Sequence, residues 1–161
     1  MKNLILRLAL LFVLSGQLFG SERKLGGIHL LEGYSMKRER AADAAAWTIE
    51  GKSGLKIEFE AGPNEGSWAD PKERNQYAWY REQTIHGYVA RFALVKAGLK
   101  TQWEPDGDRG LPPGNVLLVT FPSDGKTPDY TANFSAKLAD QQELADTLLM
   151  VATFDPSKGR F

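Results

Sequence analysis

The stretch WTIEGKSGLKIEFEA, Trp47–Ala61, decides how the rest of the chain is read. Leu55, Ile57, Phe59 and Ala61 fall on one parity, and Lys56, Glu58 and Glu60 fall on the other. Successive side chains of a strand point to opposite faces, so this alternation describes a strand with one buried side. Glu50–Gly54 supplies two glycines for a tight connection back to Trp47–Ile49, and the two arms predict a β-hairpin.

Working outward, Leu31–Arg38 alternates more weakly and predicts an edge strand, while Ala41–Ala46 fits either a helical turn or a connector. GPNEGSWAD (Gly62–Asp70) is a loop by its Gly, Pro and Asn content. Asp70-Pro71-Lys72-Glu73 is a helix start: Asp accepts from free backbone N–H groups, Pro suits the first helical position, and Glu can reach back. One or two turns are expected, ending near Gln76.

Trp79–Ile85 and Tyr88–Val95 alternate on either side of His86-Gly87, which predicts a second hairpin. His86 tolerates a positive φ better than most residues, so a turn explains it without chemistry. Leu99–Trp103 is expected to add a short strand before the long loop Glu104–Asn115. NVLLVTF (Asn115–Phe121) is a continuous apolar run, the mark of a central strand, and Thr131–Leu138 alternates again.

Asp140-Gln-Gln-Glu143 opens the strongest helix with a capping-box pattern. Leu144, Leu148 and Val151, with Ala145, Leu149 and Ala152, form its expected apolar stripe, and Pro156 ends it. The sum is an α+β fold: an antiparallel β-sheet of about six to seven strands with a C-terminal α-helix packed on one face.

Residues 1–20 are set aside from the fold. MKNLILRLALLFVLSGQLFG has a basic start (Lys2, Arg7), an apolar run and then small and polar residues, the layout of a secretory signal peptide. The expectation is export to the periplasm or outside the cell, with residues 21–161 forming a single domain; an uncleaved membrane anchor is the alternative. The whole chain carries 20 basic and 20 acidic residues, so removing Lys2 and Arg7 leaves 18 against 20, a net charge of −2. Such a balance attracts neither nucleic acid nor an anionic membrane. With no cysteine, an exported chain must rest on packing alone.

Motifs for chemistry fail one by one. Gly125-Lys126-Thr127 and Gly51-Lys52-Ser53 lack the first glycine of a phosphate loop, where Thr120 and Ala46 stand. His29 and His86 are far apart and no metal-ligand spacing is present, so neither metal nor cofactor is expected. Asp106-Gly-Asp108 lacks the third ligand and the closing Glu of a calcium loop. Ser53 sits in an incomplete nucleophile elbow. Glu58 and Glu60 share a strand face about 7 Å apart, given a rise of about 3.3 Å per residue, and read best as a solvated face.

What survives is an aromatic and basic set: Trp68, Arg74, Tyr77, Trp79, Tyr80 and Arg81, joined by Trp103 and Arg109. Amphipathic aromatics beside arginine are common where a surface meets a partner. The same residue types also roof ordinary sheet cores.

With LLEGYSMKR, WTIEGKSGLKIEFEAG, YREQTIHGY, NVLLVTFP and ANFSAKLADQQELADTLLMVATFDP in view, the chain from about Leu31 to Pro156 resembles small exported bacterial proteins of unassigned activity. Its EGY segment and its last helix ending TFDP are also similar to the PsbP-like group. That resemblance implies an antiparallel sheet flanked by helices and an accessory role, and it carries no binding residue over. The expected function is therefore a non-enzymatic binding or accessory protein acting on an unknown protein or envelope component. The alternatives are a small hydrolase or lyase using carboxylates and His86, and a structural subunit of an envelope assembly.

Overall fold

The computed structural model describes residues 27–41, 44–63, 65–105, 109–123 and 129–159. The expected leader, residues 1–20, and the Asp106–Asp108 and Gly125–Thr127 fragments lie outside them. The fold is α+β: seven strands in one antiparallel sheet, with a helix across one face. The strands are β1 (Ser35–Glu39), β2 (Ala45–Glu50), β3 (Lys56–Gly62), β4 (Tyr77–Ile85), β5 (Tyr88–Val95), β6 (Val116–Phe121) and β7 (Thr131–Lys137), and the helix is α1 (Gln141–Ala152).

The spatial order is β1-β2-β3-β7-β6-β5-β4. Two meanders are thus zipped together where β3 meets β7, with Phe59 opposite Phe134 and Ile57 opposite Ala136. The strand pair read from Trp47–Ala61 is present, with Ile49 opposite Ile57. All six residues of β6 are buried, as its unbroken apolar run predicts for a central strand.

The parity of each strand sorts its residues onto two faces. On the helix face, Phe59, Phe121 and Phe134 meet Phe154, which follows α1; the ring centroids lie 5.5, 5.0 and 5.2 Å from it in edge-on contacts. Full burial of such a side chain contributes about 1.5–3 kcal/mol. This quartet sits on the seam between the meanders.

The opposite face is roofed by the connection from β3 to β4, which must cross β7, β6 and β5 to reach the far edge. Trp68 N–H donates to Asn133 Oδ1 of β7 (3.1 Å) and Ala69 N–H to Thr120 Oγ1 of β6 (3.0 Å). Asn133 Nδ2 donates to Gly66 O at 2.9 Å. Both polar side chains are fully buried, which is tolerable because they bond one another and the crossing backbone. The crossing ends in a 3-10 turn, Pro71–Gln76, started by the Asp70 carboxylate accepting from Lys72 N–H.

Two expectations are corrected. Leu99–Trp103 is not a strand: it leaves the turn at Gly98 (φ 84) and runs into a second turn, where Glu104 N–H donates to Thr101 O at 3.3 Å and Trp103 stacks on Trp68. Of the expected helix stripe, Leu144, Leu148 and Val151 do face the core, but Ala145, Leu149 and Ala152 are exposed, Leu149 by 58%, and the buried face extends instead over Glu143, Thr147 and Met150. Thr147 is accommodated by donating to Glu143 O in the preceding turn (2.7 Å), and Glu143 by partners from three separate segments, given below.

Candidate functional site

The structure divides the aromatic and basic set into three groups and sets Arg109 apart from all of them. Trp68 and Trp103 are stacked at 4.8 Å and 15° on the crossover side, with Trp68 only 4% exposed. These indoles are roof.

Tyr77 and Tyr80 form a second stack, 6.0 Å apart, and the Arg74 guanidinium lies 4.4 Å from the Tyr80 ring. Tyr77 is buried and its hydroxyl is pushed up to about 12, by burial first and the nearby Glu73 charge second. Tyr80 donates to Glu82 Oε1 at 2.8 Å, and Arg91 Nε stands 3.3 Å from the same oxygen. Burial, followed by that bond to Glu82, raises the Tyr80 hydroxyl, so it stays a neutral donor.

Trp79 and Arg81 point to the helix face, because a register shift between Tyr77 and Trp79 separates them from the Tyr77 parity. Trp79 rests against Phe92 (6.4 Å) yet remains 42% exposed, and Arg81 is exposed beside it.

These two residues lie on a sheet edge, since among the described residues β4 pairs only with β5. Ile85 and Tyr88 flank a two-residue turn whose His86 and Gly87 both have positive φ, 50 and 86. In such a hairpin the flanking pair exchanges both backbone bonds, so Ile85, Gln83, Arg81 and Trp79 direct theirs to β5. The N–H and C=O groups of Thr84, Glu82 and Tyr80 therefore point outward. His86 stands exposed at the tip, where the turn accounts for it.

Arg109 belongs elsewhere. It clamps the Glu143 carboxylate with two bonds, Nη2 to Oε1 at 2.6 Å and Nη1 to Oε2 at 3.0 Å. Ser53 Oγ and Ala139 N–H also donate to Glu143, at 3.0 and 2.8 Å. Burial works to raise this carboxyl, but Arg109, Ala139 and Ser53 outweigh it and hold Glu143 below the usual carboxylate range.

Beside the clamp, at the start of α1, lies a cleft of about 240 Å³ lined by Glu32, Tyr34, Lys52, Ser53, Asp140 and Asp146 among others. Tyr34 donates to Asp146 Oδ2 at 2.6 Å, and burial together with that bond raises its hydroxyl far above the ordinary value. Its ring lies over Gly51, where an added Cβ would meet Tyr34 Cε1 at 2.5 Å. The sequence reading missed this cleft; its one legible signal was the Asp140–Glu143 spacing. Glu143 N–H does bond Asp140 Oδ1 (2.9 Å), but the Glu143 carboxylate bonds Ala139 N–H rather than closing the box on Asp140. The network staples the β2–β3 turn to the helix start, and its hydroxyls are donors already engaged with carboxylates.

Glu58 and Glu60 share the crossover face and are half-buried; burial first, then Glu65 and Glu58, raises the Glu60 carboxyl. Among the described residues, no group of three or more His, Cys, Asp or Glu is arranged to hold a metal ion, and no helix is long and apolar enough to cross a membrane. Comparisons with protein-family models, with curated proteins and with solved structures found no match.

Proposed function

We propose that this chain is an exported, non-catalytic binding or accessory protein that contacts a protein or envelope component along β4. The observation that carries the reading is Trp79, a large apolar side chain left 42% exposed on an edge strand with outward-facing backbone groups. Exposed aromatics next to arginine are the residue types that dominate protein contacts. Export rests on the leader, Met1–Gly20, and the accessory role agrees with what the PsbP-like resemblance implies.

A hydrolase or lyase is the poorer reading. His86 holds a turn, Ser53 Oγ is engaged with Glu143, and Glu143 is saturated by donors. A general base needs a free lone pair within reach of the proton it takes.

The test is affinity capture from envelope extract with the wild-type protein and a Trp79→Ala/Arg81→Ala variant of matched circular dichroism. Partners retained by the wild type and lost by the variant are expected. Identical partners from both would remove β4 as the contact surface. N-terminal sequencing of the exported fraction is expected to begin within a few residues of Ser21; recovery of the chain from the cytoplasm with Met1 intact would remove export.

A further inference from the structure

The seven regular residues of β4, Trp79 to Ile85, read W-Y-R-E-Q-T-I. Taken from either end the chemistry is the same: an apolar residue, a hydroxyl, a long side-chain donor, then the central Glu82. An antiparallel pair of identical strands sets residues opposite one another symmetrically about the two-fold axis, so a chemical palindrome is self-complementary.

We propose that β4 pairs with β4 of a second copy of this chain, antiparallel about a two-fold axis through Glu82, joining two seven-stranded sheets into one. The proposal rests on the reading of β4 as the contact surface and names its partner. Trp79 then lies opposite Ile85 of the second copy, Tyr80 opposite Thr84, and Arg81 opposite Gln83. The outward backbone groups of Tyr80, Glu82 and Thr84 meet Thr84, Glu82 and Tyr80 of the other copy, and each such pair exchanges two bonds. Trp79, exposed in the single chain, gains an apolar neighbour at each end of the ladder.

Other registers are worse for stated reasons. Centring on Arg81 sets guanidinium against guanidinium and leaves Ile85 unpaired. Centring on Tyr80 runs the ladder into the irregularity between Tyr77 and Trp79. Centring on Gln83 leaves Trp79 beside the partner's turn. The cost of the chosen register is Glu82 opposite Glu82, and directly opposed like charges destabilise a pair. Each carboxylate already has Arg91 Nε at 3.3 Å and the Tyr80 hydroxyl at 2.8 Å, which spreads its charge. Charged residues on an edge commonly prevent indiscriminate pairing. Here Arg81 weighs against the register centred on it, and Glu82 weighs only lightly against this one.

The absence of cysteine makes the test clean. The purified protein is examined by sedimentation equilibrium, alongside single-cysteine variants Glu82→Cys and Gln83→Cys under mild oxidant. Residue 82 on the axis brings two Cα atoms about 5.5 Å apart, within disulfide reach. The expected results are a concentration-dependent dimer, cross-linking of Glu82→Cys at least about tenfold faster than of Gln83→Cys, about tenfold weaker association in Trp79→Ala, and tighter association in Glu82→Gln. A wild-type chain that stays monomeric at about 1 mM, the weak limit for a small interface, overturns the proposal. Faster cross-linking of Gln83→Cys also overturns it. If self-association is absent but the Trp79→Ala/Arg81→Ala variant still loses envelope partners, the contact reading stands with a different occupant. If the dimer forms while envelope capture is unchanged by that variant, the contact with a different protein fails and self-pairing stands.

Discussion

Arg109 and Glu143 are the chain's clearest case of a charge made tolerable by its surroundings. Glu143 is 4% exposed, and two guanidinium bonds, a hydroxyl and a backbone N–H take up its oxygens. Removing one partner of a buried pair leaves the other charge uncompensated, so Arg109→Met is expected to destabilise the fold by about 3 kcal/mol. The pH dependence gives that prediction a sign. Glu143 is held below its ordinary value in the folded state, so its contribution is complete above the unfolded carboxylate range, about 4.3, and is lost as pH falls through the folded value. In Arg109→Met the main opponent of burial is gone and the carboxyl shifts up, so protonation relieves the variant instead. Urea midpoints should therefore lie far apart near about pH 7 and converge toward about pH 4. A gap that stays constant over that interval would remove Glu143 as the cause. The pairing itself was illegible in the sequence: Arg109 stood near Trp103 in the chain, and nothing in spacing alone places a loop arginine against the start of a helix.

Among the elements, the β3–β4 crossover shows how one buried amide can position a whole segment. Asn133 accepts from Trp68 N–H and donates to Gly66 O, and Thr120 donates to its carbonyl oxygen at 2.7 Å. Asn133→Ala leaves a buried N–H without a partner and is expected to cost about 3 kcal/mol. Amide exchange at Trp68 and Ala69 should rise well above that of β6; unchanged protection there would show that packing of the indoles alone holds the crossover. The β4 edge carries its own signature. At dilution Tyr80, Glu82 and Thr84 amides should exchange quickly and Arg81, Gln83 and Ile85 slowly, an alternation that a covered edge would not give. Hairpins and caps were readable because their causes are local: Ile57 and Phe59 alternate with charges, and Asp70 and Asp140 precede their turns. Leu99–Trp103 misled because five residues of this composition fit an irregular segment as well as a strand, and its stack on Trp68 joins residues far apart in the chain, a contact that spacing does not reveal. In the helix Leu144, Leu148 and Val151 read correctly as core-facing, while Ala145, Leu149 and Ala152 misled. The cause is that Glu143 is drawn inward by Arg109 and Ser53, far away in sequence, and Thr147 follows it by bonding Glu143 O.

At the scale of the molecule, periodicity identified the strands but not the edges that join. The two meanders, β1-β2-β3 and β4-β5-β6-β7, contain only neighbours in sequence, and the single long-range closure of the sheet is β3 against β7. Closing a loop that spans most of the domain costs entropy before any contact offsets it, so folding in milliseconds to seconds is expected. The contacts that offset it are those of the seam: Phe59 with Phe134 at 4.6 Å, and both against Phe154. The folding nucleus should therefore lie there rather than in the outer hairpin. Phe134→Leu, costing about 1.5 kcal/mol, should slow folding about fivefold, a fractional effect of about 0.6. Ile49→Val in β2, costing about 1 kcal/mol, should leave the folding rate nearly unchanged and speed unfolding instead. Stopped-flow chevrons of the two variants separate the cases, because each rate is read on its own limb. If Ile49→Val slows folding as much as Phe134→Leu does, the outer hairpin forms first and the seam closes after the barrier.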